Sequence, residues 1–476
     1  MPVSIFGIIY ILMSFFFLKK KRWFTYWYVF SNSLFYSSLI TVGSVDIKPY
    51  FISTLFMFFG FVRGDLFSKN SFKNKDVAAL FLFLAWIVLT FPLSIFLKNI
   101  NVIPSDSQQS DVEVLHPINA KIGSIIYTLN PAFNIFSFVV VRAYIKTSQD
   151  IKDFTKGYLL SYIPLVITVI ILFIFRNVIH TPALTEAFFS FINPTYKRNV
   201  SANTWGSIGD IARTFTYVGE ASFTAKYYLM MMSLFAGMLL YQKNSIQKKV
   251  LLLFNLLLIL ILITLLGSTT GYVGFFILLG IIGVLYLGYQ HTIRASIVNS
   301  NSRFIFTFLI FSLFVLIPSV MLFYDQIVFF WNYLLVNHID KIEGEAGSGY
   351  VRIQSNLIAL EAFFKSPLFG VGYGHNRATT FLSFLLSNVG IVGFILFNFF
   401  WFYLVFVPLR KLKNMPQDLK MHCIVYVTMF IITYLTNFLF SSSVAIAFGW
   451  VWTNAALLSR LADWRNLEDY SQLELI

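Results

Sequence analysis

The chain has 476 residues and a formal net charge of +14, yet only 12% of it is charged and 58% is hydrophobic. Soluble domains carry about 25% charged residues, so a mean hydropathy of +0.74 excludes an ordinary soluble protein. A single cysteine, Cys423, excludes a disulfide framework.

A helix needs about 20 apolar residues to cross a bilayer, and backbone groups in lipid must be satisfied internally. Barrel strands would alternate with period two over about ten residues, and the apolar runs here do not. The expectation is an all-α polytopic membrane protein, one integral domain over 1–476, with about thirteen spans (12–14). The runs cover 3–18, 23–42, 49–63, 77–97, 122–142, 157–175, 223–241, 250–266, 271–289, 304–323, 379–409, 421–440 and 443–459. The first ends in Lys19-Lys-Lys-Arg22 without a small-residue cleavage site and reads as a retained helix. The run 379–409 is long, holds Gly390 and Gly393, and reads as broken or strongly tilted.

If Lys19–Arg22 is cytoplasmic, the loops and span ends on that side hold 23 of the 35 Lys and Arg and the other side 12. By the positive-inside rule, 64–76, 143–156, 242–249, 290–303 and 410–420 are then cytoplasmic. The N-terminus lies outside and the C-terminus inside. The basic balance is a topology signal. No basic patch alternates with an exposed aromatic platform, so a nucleic-acid partner is not expected.

Three long loops face outside. The first, about 98–121, is polar and reads as a flexible surface loop. The second, 176–222, ends with Arg213 and, seven residues on, Glu220 at the edge of a span. That spacing fits a structural ion pair. It equally fits a cation for an anionic headgroup beside a carboxylate that accepts a proton. The third, 324–378, carries two arginines, two histidines, three glutamates and two aspartates. Val351, Ile353, Leu357, Ile358, Leu360, Phe363 and Phe364 give an apolar stripe at helical spacing, predicting an interfacial helix stopped by Pro367. Gly370, Gly372 and Gly374 then permit tight turns, with backbone N–H groups available to phosphate oxygens. A glycine-rich connector with interfacial cations is the plainer reading. Gly267-Ser-Thr-Thr-Gly271 reads as a tight turn that packs helices. Zinc-ligand spacings, a Walker loop and a nucleophile elbow are not found, so no metal, nucleotide or other cofactor is expected.

Arg213…Gly219-Glu220-Ala-Ser222 ahead of a span, Gly267-Ser-Thr-Thr-Gly271 and Arg352 in a large outside loop form a recognisable series. With Pro367-Leu-Phe-Gly370-Val-Gly372-Tyr-Gly374 and then Asn388-Val-Gly390-Ile-Val-Gly393, it resembles the O-antigen polymerase/ligase superfamily over about residues 200–410. The resemblance implies a metal-independent GT-C-type membrane glycosyltransferase of the bacterial inner membrane. Its donor would be a polyprenyl (undecaprenyl) pyrophosphate-linked oligosaccharide taken on the periplasmic face, and a chain-length regulator protein a possible partner. Ligases tend to carry a His-Asn pair where this chain has Thr379, and a glutamate where it has Asn388. His375-Asn376 lie four residues early. That departure favours a Wzy-type repeat-unit polymerase over the ligase and loosens the assignment of His375. A lipid-linked oligosaccharide flippase would share the hydrophobicity, but would distribute charges along its spans.

On this reading Arg352, Arg213 and then Arg377 stabilise the departing pyrophosphate by charge-assisted hydrogen bonds. Glu220 is the preferred base for the acceptor hydroxyl, with His375 second. Tyr373, Asn376, Gly372 and Gly374 line the substrate side of the loop.

Overall fold

The computed structural model describes residues 4–42, 45–63, 75–92, 96–97, 99–104, 115–118, 122–193, 207–208, 211–212, 216–218, 220–242, 244–266, 268–289, 347–440 and 448–471. In chain order the first helices are α1 (Ile5–Leu18), α2 (Lys21–Ser33), α3 (Pro49–Met57), α4 (Lys75–Thr90), α5 (Ile122–Tyr144), α6 (Ser148–Phe173) and α7 (Pro182–Ile192). There follow α8 (Ala221–Tyr241), α9 (Ile246–Leu266), α10 (Thr269–Tyr289), α11 (Gly347–Lys365), α12 (Phe381–Lys411), α13 (Gln417–Phe440) and α14 (Gly449–Ala462). Every apolar run read from the sequence has a helix beneath it except 304–323, which lies outside the described residues. Among the described residues, α6, α8, α9, α12 and α13 are long and apolar enough to cross a membrane, and α1, α3 and α10 contain shorter apolar stretches.

Three two-stranded antiparallel ribbons join the helices: β1 (Ile40–Val42) with β2 (Val45–Ile47), β3 (Asn101–Val102) with β4 (His116–Pro117), and β5 (Ser207–Ile208) with β6 (Ile211–Ala212). The second ribbon corrects the reading of 98–121 as a flexible surface loop. Ile100, Val102 and Ile118 bury against Val371 and Ala362 of the third loop, a small apolar cluster that removes its surface from water. The polar stretch 105–114 lies outside the described residues.

Helix α8 is the centre of the bundle. Of its apolar window 83% is buried, against 39% for α6 and α9, whose outer faces remain open. Small residues explain the close packing. A Cβ on Gly237 would lie 2.3 Å from Val425 of α13, and one on Gly271 would lie 3.2 Å from Ala225. Gly271 thus lets α10 approach α8 closely.

The charges sort by end of the bundle. Lys21 pairs with Asp150 at 2.7 Å, Arg142 with Asp463 at 2.8 Å, and Lys152 with Asp418 at 3.0 Å. Asp150 also completes a capping box with Thr147 at the start of α6. All these groups lie on the stretches read as sharing one face. At the opposite end, the Ser4 hydroxyl meets the Ser38 carbonyl, Tyr36 N–H donates to Tyr217, and Ser38 N–H to Ile192.

Candidate functional site

The glycine loop after α11 is built to dock into a broken helix. Gly390, inside α12, has φ 64° and ψ −173°, a region essentially restricted to glycine. The break leaves carbonyls of α12 without their own N–H partners. Val371 N–H donates to Ser387 O at 2.8 Å and Gly372 N–H to Asn388 O at 3.0 Å. Trp86 Nε1 of α4 donates to Val389 O at 2.8 Å, and Ile391 N–H donates to Pro367 O at 2.8 Å. Loop and break therefore satisfy each other's backbone, as a helix interrupted at membrane depth requires. The Phe369 ring stacks on Trp86 beside the junction.

This geometry corrects the role expected of the glycines. The N–H of Gly370 donates to Ser366 O and that of Gly372 to Asn388 O, so neither faces a phosphate. Gly370, Gly372 and Gly374 all have positive φ. A Cβ on Gly370 would meet Asn388 C at 2.5 Å, so glycine there permits close approach to the break. Tyr373 is likewise buried, its ring edge-on to Phe384, and burial pushes its phenol well above the ordinary range.

His375 and Asn376 follow on the same rigid segment. Both backbone groups of Asn376 are held by one side chain: its N–H donates to Asn388 Oδ1 at 3.1 Å, and Asn388 Nδ2 donates to its carbonyl at 2.8 Å. A glutamate at 388 would lack the amide donor. Asn376 Oδ1 accepts from Ile103 N–H at 3.2 Å, and Arg377 N–H donates to Ile103 O at 2.8 Å. The His375 Nδ1 lies 3.2 Å from Gly372 O. A carbonyl only accepts, so Nδ1 carries the proton and Nε2 is the bare nitrogen. Burial against Phe91 lowers the imidazole pKa from its ordinary 6.5, opposed by the Gly372 and Tyr373 carbonyls. His375 Nε2 and Asn376 Nδ2 are both buried without a hydrogen-bond partner among the described residues.

A second group forms around Lys226, which sequence reading passed over. Lys226 sits in α8, is 1% exposed, donates to Asn437 Oδ1 at 3.2 Å and lies over the Phe223 ring. It is within Coulombic reach of Arg352 as a like charge and of Glu220 as an opposite one. Glu220 is half-buried at the start of α8 and its side chain makes no cap hydrogen bond. Arg352 is exposed on α11. Its turn is anchored at the entry to α12: Thr379 Oγ1 and Ser355 Oγ both donate to the Arg352 carbonyl at 3.0 Å. Asn356 Oδ1 accepts from the N–H groups of Thr379 and Thr380. The signal for Lys226 was a lone lysine four residues into an apolar run, an expensive placement that marks function by default.

No protein-family model matches this chain, and no curated protein matches it.

The expected site residues therefore divide. Glu220 and Arg352 both lie within electrostatic reach of Lys226. His375, Asn376 and Arg377 share a braced segment, and among the described residues no hydrogen bond or ion pair joins His375 to the Lys226 group. Arg213 lies outside the described residues, so its spacing to Glu220 stays a sequence observation. The helix expected over 351–365 is α11, but its stripe is divided. Ala359 and Ala362 pack inward, while Ile353, Leu357 and Phe364 are exposed, as an interfacial helix requires.

Proposed function

We propose that the chain is a metal-independent repeat-unit polymerase that transfers glycan from a polyprenyl-pyrophosphate donor to a sugar hydroxyl. The observation that supports this reading is Lys226, a lysine 1% exposed in α8 and within electrostatic reach of Arg352 and Glu220. A pyrophosphate suits such a pair, because its oxygens accept charge-assisted hydrogen bonds from an arginine and a lysine. In the transfer, Glu220 accepts the acceptor proton as the hydroxyl oxygen bonds to the anomeric carbon. The bond from that carbon to the pyrophosphate oxygen breaks, and the electron pair leaves with the pyrophosphate. Arg352 and Lys226 stabilise that charge where it develops. On the same reading the fold is GT-C-type with about thirteen spans, its site facing the periplasm. Among the described residues, five helices long and apolar enough to cross a membrane and three shorter apolar ones support a polytopic chain.

The test is polymer synthesis by purified protein from lipid-linked repeat units, normalised to folded protein by size exclusion. Arg352→Ala and Lys226→Met should each lower the rate on the order of a hundredfold. Arg352→Lys should remain poor, because an ammonium does not reproduce the planar fork. Near-wild-type ladders in all three variants would remove this group from the reaction. Transfer of finished chains to lipid A core would make the protein a ligase, and donor movement across vesicles without bond formation would make it a flippase.

A further inference from the structure

At the far end of α8 from Glu220 lies a cavity of about 670 Å³ between the first turns of α6, α9 and α13 and the last turn of α8. Its polar rim holds three lysines, Lys152 and Lys156 from α6 and Lys248 from α9. One carboxylate, Asp418, is among the described lining residues, and it pairs with Lys152 at 3.0 Å. Lys156 is exposed and has no ion-pair partner among the described residues. Most of the cavity wall is apolar, with Leu159, Met238 and Met421, and the buried Thr155 and His422, hydrogen-bonded to each other at 3.1 Å, complete it. The next residues outward on α6 and α9, Leu160, Ile163, Val250 and Leu251, are exposed. The cavity is thus basic at its rim, mostly apolar within and flanked by surfaces suited to lipid. Three helix N-termini at its edge add partial positive charge.

We propose that this cavity binds a phosphate-bearing anion, carried by an acidic phospholipid of the surrounding leaflet or present as soluble phosphate. The three lysines hold the phosphate by charge-assisted hydrogen bonds, and the apolar part of the wall accepts a proximal chain when the phosphate belongs to a lipid. The site is a helix length away from Lys226 and does not depend on the proposed transfer reaction.

Two probes separate the sources. Full-length protein in phosphatidylcholine vesicles is titrated with spin-labelled phosphatidylglycerol, and the same protein in detergent is titrated calorimetrically with inorganic phosphate. Each lysine replaced by glutamine (Lys152, Lys156, Lys248) should weaken binding about fivefold. Asp418→Asn should strengthen it, a change that misfolding does not produce. Phosphatidylglycerol preference with this variant pattern supports the site with lipid as the source. Phosphate binding with the same pattern and no lipid preference supports it with a soluble source. Failure of both probes to bind, or affinities unchanged across the variants, overturns the proposal.

Discussion

At the scale of single residues, the two candidate bases differ in how they are held. Glu220 stands at a helix start beside a buried lysine, whereas His375 is locked as the Nδ1–H tautomer by Gly372. If Glu220 accepts the acceptor proton, Glu220→Gln keeps donor binding and loses turnover, since the amide preserves shape and removes basicity. Donor retention and polymer yield, both normalised to folded protein, measure this, and full turnover by the variant would move the role to His375. His375 makes its own pH prediction. Its folded pKa is lowered from 6.5, so the folded chain binds fewer protons there than the unfolded chain as pH falls. Its contribution is therefore neutral above about 6.5 and destabilising as pH drops through that value. Melting curves from pH 8 to pH 5 should show the wild type losing more stability than His375→Gln; parallel curves would contradict the lowered pKa. Of these residues, Glu220, Arg352 and His375 were legible as charged or titratable groups in outside loops. Lys226 was overlooked because its partners lie far away in sequence, on α11 and α13, and no spacing rule connects them.

The element that organises the site is the interrupted α12 with its docked loop. Long length and paired glycines made the break legible at 379–409. The purpose of Gly370 and Gly372 was not, because the Asn388 carbonyl they approach lies 18 and 16 residues further along the chain. The same distance hid the ribbon at 101–102, although the short apolar stretch Ile100-Asn-Val-Ile103 was there to be read. A Cβ on Gly390 would fall 2.3 Å from Leu368 O and 2.7 Å from Gly370 N. Gly390→Ala should therefore expel the loop, with backbone strain alone costing about 1–3 kcal/mol. Trp86→Phe keeps an aromatic ring beside Phe369 but leaves Val389 O without its donor, for a loss of about 1 kcal/mol. Gly283→Ala is the control, since nothing lies within 4 Å of its added Cβ. Thermal unfolding in detergent should rank the three as control, Trp86→Phe and Gly390→Ala in order of falling stability. A Gly390→Ala protein as stable as the control would mean that the loop does not depend on the break.

Across the whole molecule, the two ends of the bundle use charge differently. At one end cations are largely matched: Arg142, 6% exposed, meets Asp76 and Asp463, while Lys21 and Arg22 meet Asp150 and Asp153. Breaking the buried Arg142–Asp76 pair costs about 3–5 kcal/mol, so Arg142 holds α4, α5 and α14 in register, while the Lys21 and Arg22 pairs are partly exposed and contribute less. At the other end the buried Lys226 feels Arg352 as a like charge and Glu220 as an opposite one. Sequence counting expects the same division, since it assigns the positive-rich loops to the cytoplasmic side by the positive-inside rule. The bundle then predicts where reagents reach it. Lys413 is exposed between α12 and α13, and Glu361 is exposed on α11, anchored beside the opposite end of α12. Cysteines at these two positions, on a Cys423→Ser background, should react from opposite sides of a sealed membrane. In inside-out vesicles a membrane-impermeant maleimide should label Lys413→Cys at once and Glu361→Cys only after permeabilisation. The reverse pattern would place the Lys226 group on the cytoplasmic face, where a donor consumed outside never arrives. Equal labelling of both without permeabilisation would show that the ends of α12 do not lie on opposite sides of the bilayer.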